Sequence, residues 1–170
     1  GFNRMIAAVR THVADLNAFS LGATTALART IDAKSPWTAG HSERVTALAL
    51  EIARTLNAPA DDLVLLNRGG LLHDIGKLAT PAEILDKAGA LTPEERALVE
   101  QHPRDGVRIL EPVGDFAPLL PIVLEHHERF DGRGYPDGKA GHEIHRLARI
   151  LAVADVYDAL GSHRPCRHGL

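Results

Sequence analysis

A single cysteine, Cys166, stands in the 170 residues of the chain, so no internal disulfide can close, and a reducing, cytoplasmic compartment is the expectation. Aromatic residues make up only 4 % of the sequence, and alternating β-branched segments between hairpin turns are missing, which argues against sandwiches and barrels. No run approaches the roughly 18 apolar residues of a membrane span, and no charged-then-apolar leader opens the sequence, so neither bilayer insertion nor secretion is expected. An excess of positive charge is also absent. With 19 Lys and Arg against 22 Asp and Glu the net charge is −3, which leaves no footprint for duplex nucleic acid and no polybasic membrane contact.

What is present is helical pattern throughout. A hydrophobic content of 45 % in 170 residues suits one all-α domain with a substantial core. In the opening segment Phe2, Ile6, Val9, Val13 and Leu16 follow a 4-3-4-3 spacing, the seam of a two-helix coiled coil. Ser20 takes the next seam position, and a helix packed on its own domain satisfies the same spacing. Residues 1–34 are read as an N-terminal signalling or dimerisation helix and 35–170 as the domain, cut from a longer protein because the pattern is already helical at its first residue. After a break at Ser35-Pro36, Thr38 caps a helix that carries His41 in its first turn and runs to about Asn57. Asp61 or Asp62 caps the next, which ends in His73-Asp74 with Gly76 as terminator. Thr92-Pro93-Glu94-Glu95 is a capping box opening a helix with His102 at its far end, and Pro103 marks a boundary. A segment from Pro118 supplies His126 and His127 at its end. Phe130 to Gly141 is a glycine-rich loop, and Ile144 to Leu160 is a buried helix holding Asp155.

The stretch Leu71-Leu72-His73-Asp74-Ile75-Gly76-Lys77 sets a polar pair inside apolar flanks. A neutral imidazole gives one nitrogen to a metal, whereas a carboxylate has two oxygens and can bridge two metals. On a helix Lys77 shares a face with His73, four residues before it, and points toward whatever anion the pair brings in. His41, His73, Asp74, His102, His126, His127 and Asp155 all fall near helix ends or within apolar helices. A buried unpaired aspartate costs several kcal/mol. Asp155 therefore needs a cation, either a metal or Arg146 or Arg149, and both readings are open from its neighbours alone.

The ordered set Gly40-His41-Ser42, His73-Asp74-Ile75-Gly76-Lys77, His102-Pro103, His126-His127-Glu128, Asp131-Gly132-Arg133-Gly134-Tyr135-Pro136 and Ala154-Asp155 resembles the HD-GYP family of cyclic-di-GMP phosphodiesterases, a branch of the HD metal-dependent phosphohydrolases, from about Thr30 to Arg167. The resemblance implies an all-α, HD-domain-like bundle with a metal centre in its core, holding two or three divalent ions, usually iron or manganese. It implies hydrolysis of cyclic-di-GMP to the linear dinucleotide, or further to GMP, in bacterial second-messenger signalling. Carried over residue by residue, His41, His73, Asp74 and Asp155 hold one ion and His102, His126 and His127 the second, with Asp74 as bridge. Asp74 and Lys77 are then the catalytic residues, and Lys77, Arg133 and Tyr135 bind substrate: Lys77 as a compact charge on a phosphoryl oxygen, Arg133 as a bidentate donor, Tyr135 as a stacking face. A second copy through the N-terminal helix, a diguanylate cyclase and an upstream sensor domain are the implied partners.

The chain departs from the family pattern in several places. Arg164-Pro165-Cys166-Arg167 lacks the usual tyrosine, His145 stands where a proline is usual, and the family continues past the position of Leu170. Three-metal members resemble one another in a glutamate four residues before the first ligand histidine, where this chain has Trp37. An indole has no lone pair for a metal, while Asp32 lies beyond the Ser35-Pro36 break and Glu43 on another face of the helix, so two metals are expected. The alternatives are an HD phosphohydrolase for another cyclic dinucleotide or nucleotide, an oxidative di-iron enzyme, and a non-catalytic partner-binding module.

Overall fold

A computed structural model describes residues 1–35 and 39–161. Among them α-helices dominate: α1 (Phe2–Asp32), α2 (His41–Thr55), α3 (Ala60–Leu72), α4 (Ala82–Leu85), α5 (Pro93–Val99), α6 (His102–Leu110), α7 (Leu120–Glu125) and α8 (Arg146–Gly161). Short 3₁₀ helices at Ile75–Ala79, Gly114–Leu119 and Gly141–Glu143 join them. The described residues form no β-strand, and one isolated bridge pairs Asp131 with Ala140 across the glycine-rich loop. The all-α expectation is met. No helix among the described residues is long and apolar enough to cross a membrane.

Burial follows the helical periodicity. Val45, Ala49 and Ala53 of α2 pack with Leu66 of α3, Ile122 of α7 and Leu147, Ile150, Leu151 and Ala154 of α8 in one core. Ile31 of α1, Leu72, Ile75, Leu110, Leu119 and Val123 form a second. Each fully buried leucine or isoleucine contributes roughly 1.5–3 kcal/mol by leaving water. The residues between these clusters, at the ends of α3 and α7 and the starts of α2 and α6, are the histidines. α1 buries only Thr24, Ala28, Ile31 and Asp32. Its first half leaves Phe2, Val9, Val13 and Leu16 between 51 % and 70 % exposed and Ile6 half-buried, so four of the five seam residues stay exposed.

Several helix ends differ from expectation. α3 starts after Pro59, its N-cap, and Asp61 and Asp62 lie in its first turn without a capping bond, where a carboxylate still meets the positive end of the helix dipole. The capping box at Thr92 and Glu95 is present, but its helix stops at Val99. His102 opens α6, with Pro103 in the first turn, where a missing N–H costs nothing. Gly76 is not a terminator: α3 ends before His73, and Gly76 sits inside the 3₁₀ helix. A Cβ there would stand 1.8 Å from the His102 carbonyl oxygen and 2.5 Å from the Gly106 nitrogen. Only glycine lets this segment lie against α6. The Asp32 carboxylate, at the end of α1, accepts from Ser42 N at 3.1 Å and Ser42 Oγ at 2.8 Å, which caps α2 beside His41.

Candidate metal centre

Three of the five histidines are oriented by one local device. Nδ1 of His73 donates to Gly70 O at 2.6 Å, Nδ1 of His102 to Val99 O at 2.7 Å and Nδ1 of His126 to Val123 O at 2.8 Å. A carbonyl can only accept, so Nδ1 carries the hydrogen and the Nε2 lone pair is left for another partner. In each case the acceptor lies three residues earlier in the chain, so the ring direction follows from the local backbone. His41 is held differently, its Nδ1 standing 2.8 Å from Asp158 Oδ2.

The four Nε2 atoms converge on Asp74. Oδ2 of Asp74 lies 3.4 Å from His73 Nε2 and 3.7 Å from His41 Nε2, while Oδ1 lies 3.3 Å from His102 Nε2 and 4.0 Å from His126 Nε2. Each carboxylate oxygen therefore faces a different pair of histidines. Asp155 joins the first side, with Oδ1 3.3 Å from His41 Nε2, and its Oδ2 is 4.0 Å from His127 Nδ1. The donor atoms fall into two groups, Asp74 with His102, His126 and His127, and His41 with His73 and Asp155, each within 4.8 Å of one another. All seven residues named from the sequence meet in one place. Arg146 pairs with Asp62 and Arg149 with His142, so neither takes the role of counter-ion to Asp155 that sequence neighbourhood left open.

The electrostatics suit cations. Burial lowers the pKa of His73 and His126, and that of His127 to about 3, which keeps these rings neutral and their lone pairs available. Burial by itself raises the Asp74 carboxyl, but Lys77, His73 and His102 outweigh it and hold it well below the usual range. For His41 burial lowers the pKa, and Asp155, Asp74 and Asp158 outweigh it, so the ring is shifted upward. His73 Nε2 and Asp74 Oδ1 are buried without a hydrogen-bond partner among the described residues. Lone pairs facing one another in a dry site cost free energy unless a cation lies between them. This donor set, rich in imidazole and carboxylate and depleted of protons, fits divalent metal ions.

Around the donors the structure corrects and adds. Lys77 is not one α-helical turn from His73. It lies on the 3₁₀ helix, where residues three apart eclipse, and its Nζ is 2.5 Å from Asp74 Oδ2, with 21 % of its side chain exposed. The Tyr135 ring lies on that of His127 with centroids 4.7 Å apart and an interplanar angle of 30°, so one face is already taken and the residue forms a wall of the site. Arg133 is exposed, its main-chain N–H donating to Asp131 Oδ1 at 3.1 Å. A Cβ at Gly134 would meet Arg129 N at 2.3 Å and His127 O at 2.6 Å, which explains glycine before Tyr135. Trp37, Thr38, Cys166 and the Arg164–Arg167 segment lie outside the described residues.

Four further residues, to which the sequence pattern assigns no role, support the site. Asp158 receives His41 Nδ1 and is gripped by Arg44, whose Nε donates to Oδ1 at 2.7 Å and Nη2 to Oδ2 at 3.0 Å. Glu128 accepts from Asp137 N at 2.6 Å and Gly138 N at 3.0 Å, tying the glycine-rich loop to the histidine pair. Glu125 accepts from Lys139 Nζ and from His145 N, each at 2.6 Å. The usual proline at position 145 could not make the second bond. For Asp158 the available signal was its place one turn beyond Asp155 on an apolar helix.

Residues 25–170 match a family model described as HD domain. Over 143 residues the chain is 46 % identical to the 3'3'-cGAMP-specific phosphodiesterase 3 of Vibrio cholerae, an alignment covering 84 % of this chain and 31 % of that protein. Over 130 residues it is 47 % identical to the cyclic di-GMP phosphodiesterase PA4108 of Pseudomonas aeruginosa, covering 76 % and 31 %. The chain thus spans about a third of the length of these curated relatives. Its fold is similar to the crystal structure of the L. monocytogenes phosphodiesterase PgpH HD domain in complex with cyclic-di-AMP, with a TM-score of 0.60 and 24 % identity over 79 % of this chain and 71 % of that one.

Proposed function

Because the chain belongs to the HD domain family, we propose that it hydrolyses a phosphodiester bond of cyclic-di-GMP, yielding the linear dinucleotide, with two divalent ions per chain, iron or manganese. The observation that carries the reading is Asp74, whose two oxygens face separate donor groups 3.3–4.0 Å away. His41, His73, Asp74 and Asp155 would hold one ion, and Asp74, His102, His126 and His127 the other. Such ions supply a water that ionises near neutral pH and neutralise charge growing on the phosphoryl group.

The chain's own groups provide the rest. The carbonyls of Gly70, Val99 and Val123 keep three imidazoles in one tautomer and direction, so the donors need not reorganise on binding. Lys77 stands between Asp74 and solvent and can turn from the carboxylate to a phosphoryl oxygen as negative charge builds there. Tyr135, whose pKa burial raises, remains a phenol and closes one side of the site. Arg133, on the exposed loop, is free to reach phosphate or a guanine edge.

Metal analysis of anaerobically purified protein, coupled to turnover of cyclic-di-GMP, tests the proposal: two equivalents and a linear product are expected. A second reading, a different cyclic dinucleotide as preferred substrate, is favoured by the 46 % identity to a relative named for 3'3'-cGAMP. Relative kcat/KM over a panel of cyclic dinucleotides separates the two. In the proposed cytoplasmic signalling role, the exposed α1 seam pairs with a second copy and connects to an upstream sensor or a diguanylate cyclase; a monomer at all concentrations by light scattering would remove the pairing.

A further inference from the structure

Lys34, just past the end of α1, sends its ammonium to three main-chain carbonyls, those of Lys77 at 2.7 Å, Leu78 at 2.8 Å and Thr80 at 2.5 Å. An ammonium has three protons, and each finds an acceptor. These carbonyls lie at the end of the 3₁₀ helix Ile75–Ala79, where the last acceptors of a helix collect and the Lys77 oxygen also accepts from Thr80 N–H. The same segment begins at Asp74 and carries Lys77, whose N–H donates to Asp74 O at 2.9 Å. Gly76 against α6 fixes the middle of the segment; Lys34 fixes its end. Among the described residues Lys34 makes no hydrogen bond to any of the seven metal-facing side chains.

We propose that Lys34 is a positioning residue for phosphodiester hydrolysis: by clamping the carbonyls of Lys77, Leu78 and Thr80 it sets where the Lys77 ammonium stands relative to Asp74. The role rests on the proposed reading of Lys77 as the group that meets the phosphoryl oxygen. It also makes the end of α1 part of the site. Arg29 Nε pairs with Glu43 at 2.7 Å and Asp32 caps α2 through Ser42, so α1 is fastened to the His41 segment by one set of contacts and to the Lys77 segment by Lys34. A displacement of α1 therefore reaches the Lys77 segment through the Lys34 ammonium as well as through the core that Ile31 shares with Ile75.

The test uses the full-length protein with Lys34→Met, which keeps an unbranched stem and removes the donors. With cyclic-di-GMP, kcat should fall roughly ten- to hundredfold, as misplacement of a catalytic group predicts, while KM and metal content stay within about twofold. In a Lys77→Ala background the same change should have almost no further effect on kcat, because the residue acts through Lys77. An equal drop in both backgrounds, the signature of a general structural role, overturns the proposal. If Lys34→Met fails to fold, Lys34→Arg retains the charge but spreads its donors over a planar fork, and the same non-additivity with Lys77→Ala is required of it. Amide exchange supplies a readout that needs no substrate: Thr80 N–H, 3.1 Å from Lys77 O, should exchange faster in the variant, and unchanged exchange overturns the clamp. A wild-type protein without turnover, in which Lys34→Met still speeds Thr80 exchange, would place the failure in the proposed substrate.

Discussion

His41 Nδ1 stands 2.8 Å from Asp158 Oδ2, and Arg44 grips both oxygens of the same carboxylate. Burial would raise the Asp158 pKa, but Arg44 and His41 outweigh it and keep the group ionised. An ionised acceptor behind Nδ1 directs the His41 Nε2 lone pair toward Asp155 and Asp74 and strengthens it as a donor. Asp158→Asn should therefore weaken metal binding about 10- to 100-fold without altering the fold. Metal titration followed by circular dichroism checks both parts.

Lys77 touches Asp74 but faces solvent with a fifth of its side chain, 21 %. Lys77→Ala should retain both metals and lower kcat by about 10²-fold, the scale of one preorganised charge on a developing oxyanion. Steady-state kinetics with metal content measured on the same sample decides it, an unchanged kcat leaving Lys77 as a solvated residue at the rim.

The contact between Gly76 and α6 is backbone on backbone, so no side chain can move aside. A Cβ 1.8 Å from His102 O has to push α6, and with it His102, away from Asp74. Gly76→Ala is expected to cost more than about 3 kcal/mol of stability, the range of severe steric substitutions, as measured by denaturant unfolding.

Acid should destabilise the metal-free protein well before ordinary carboxylates titrate. His73, His126 and His127 have folded pKa values below the 6.5 of an unfolded histidine, His127 at about 3, with burial the leading cause. These groups take up protons on unfolding, so their contribution is full above 6.5 and declines as pH falls below it, by up to about 1.4 kcal/mol per pH unit per ring. His41, shifted upward, opposes with a single ring. Melts in chelator should show Tm falling from about pH 7.5 to about pH 5, and saturating metal should reverse much of the loss near neutral pH.

The chemistry of the site was more legible than its scaffold. Histidine and aspartate within apolar helices announce themselves, because few structures tolerate them there unpaired, and the residues so identified converge. Proline and glycine are ambiguous in one dimension. Pro103 reads equally as the end of one helix or the first turn of the next, and the structure has the second. Gly76 reads as a terminator until α6 is seen to pass within van der Waals reach of it. Asp158 carries no mark in the sequence beyond its place three residues after Asp155. Lys34 was invisible for a different reason, since its partners lie 43 to 46 residues away and are main-chain atoms, which leave no mark on side-chain pattern.

The central claim is that Asp74 joins two metal sites. Metal quantification on Asp74→Ala beside the parent protein, each loaded anaerobically with iron or manganese and assayed with cyclic-di-GMP, tests it most directly. The parent should hold two ions per chain and turn over; the variant should lose both occupancy and activity, because each half-site loses the Asp74 oxygen that faces it. An Asp74→Ala protein that kept two ions and full turnover would contradict the account.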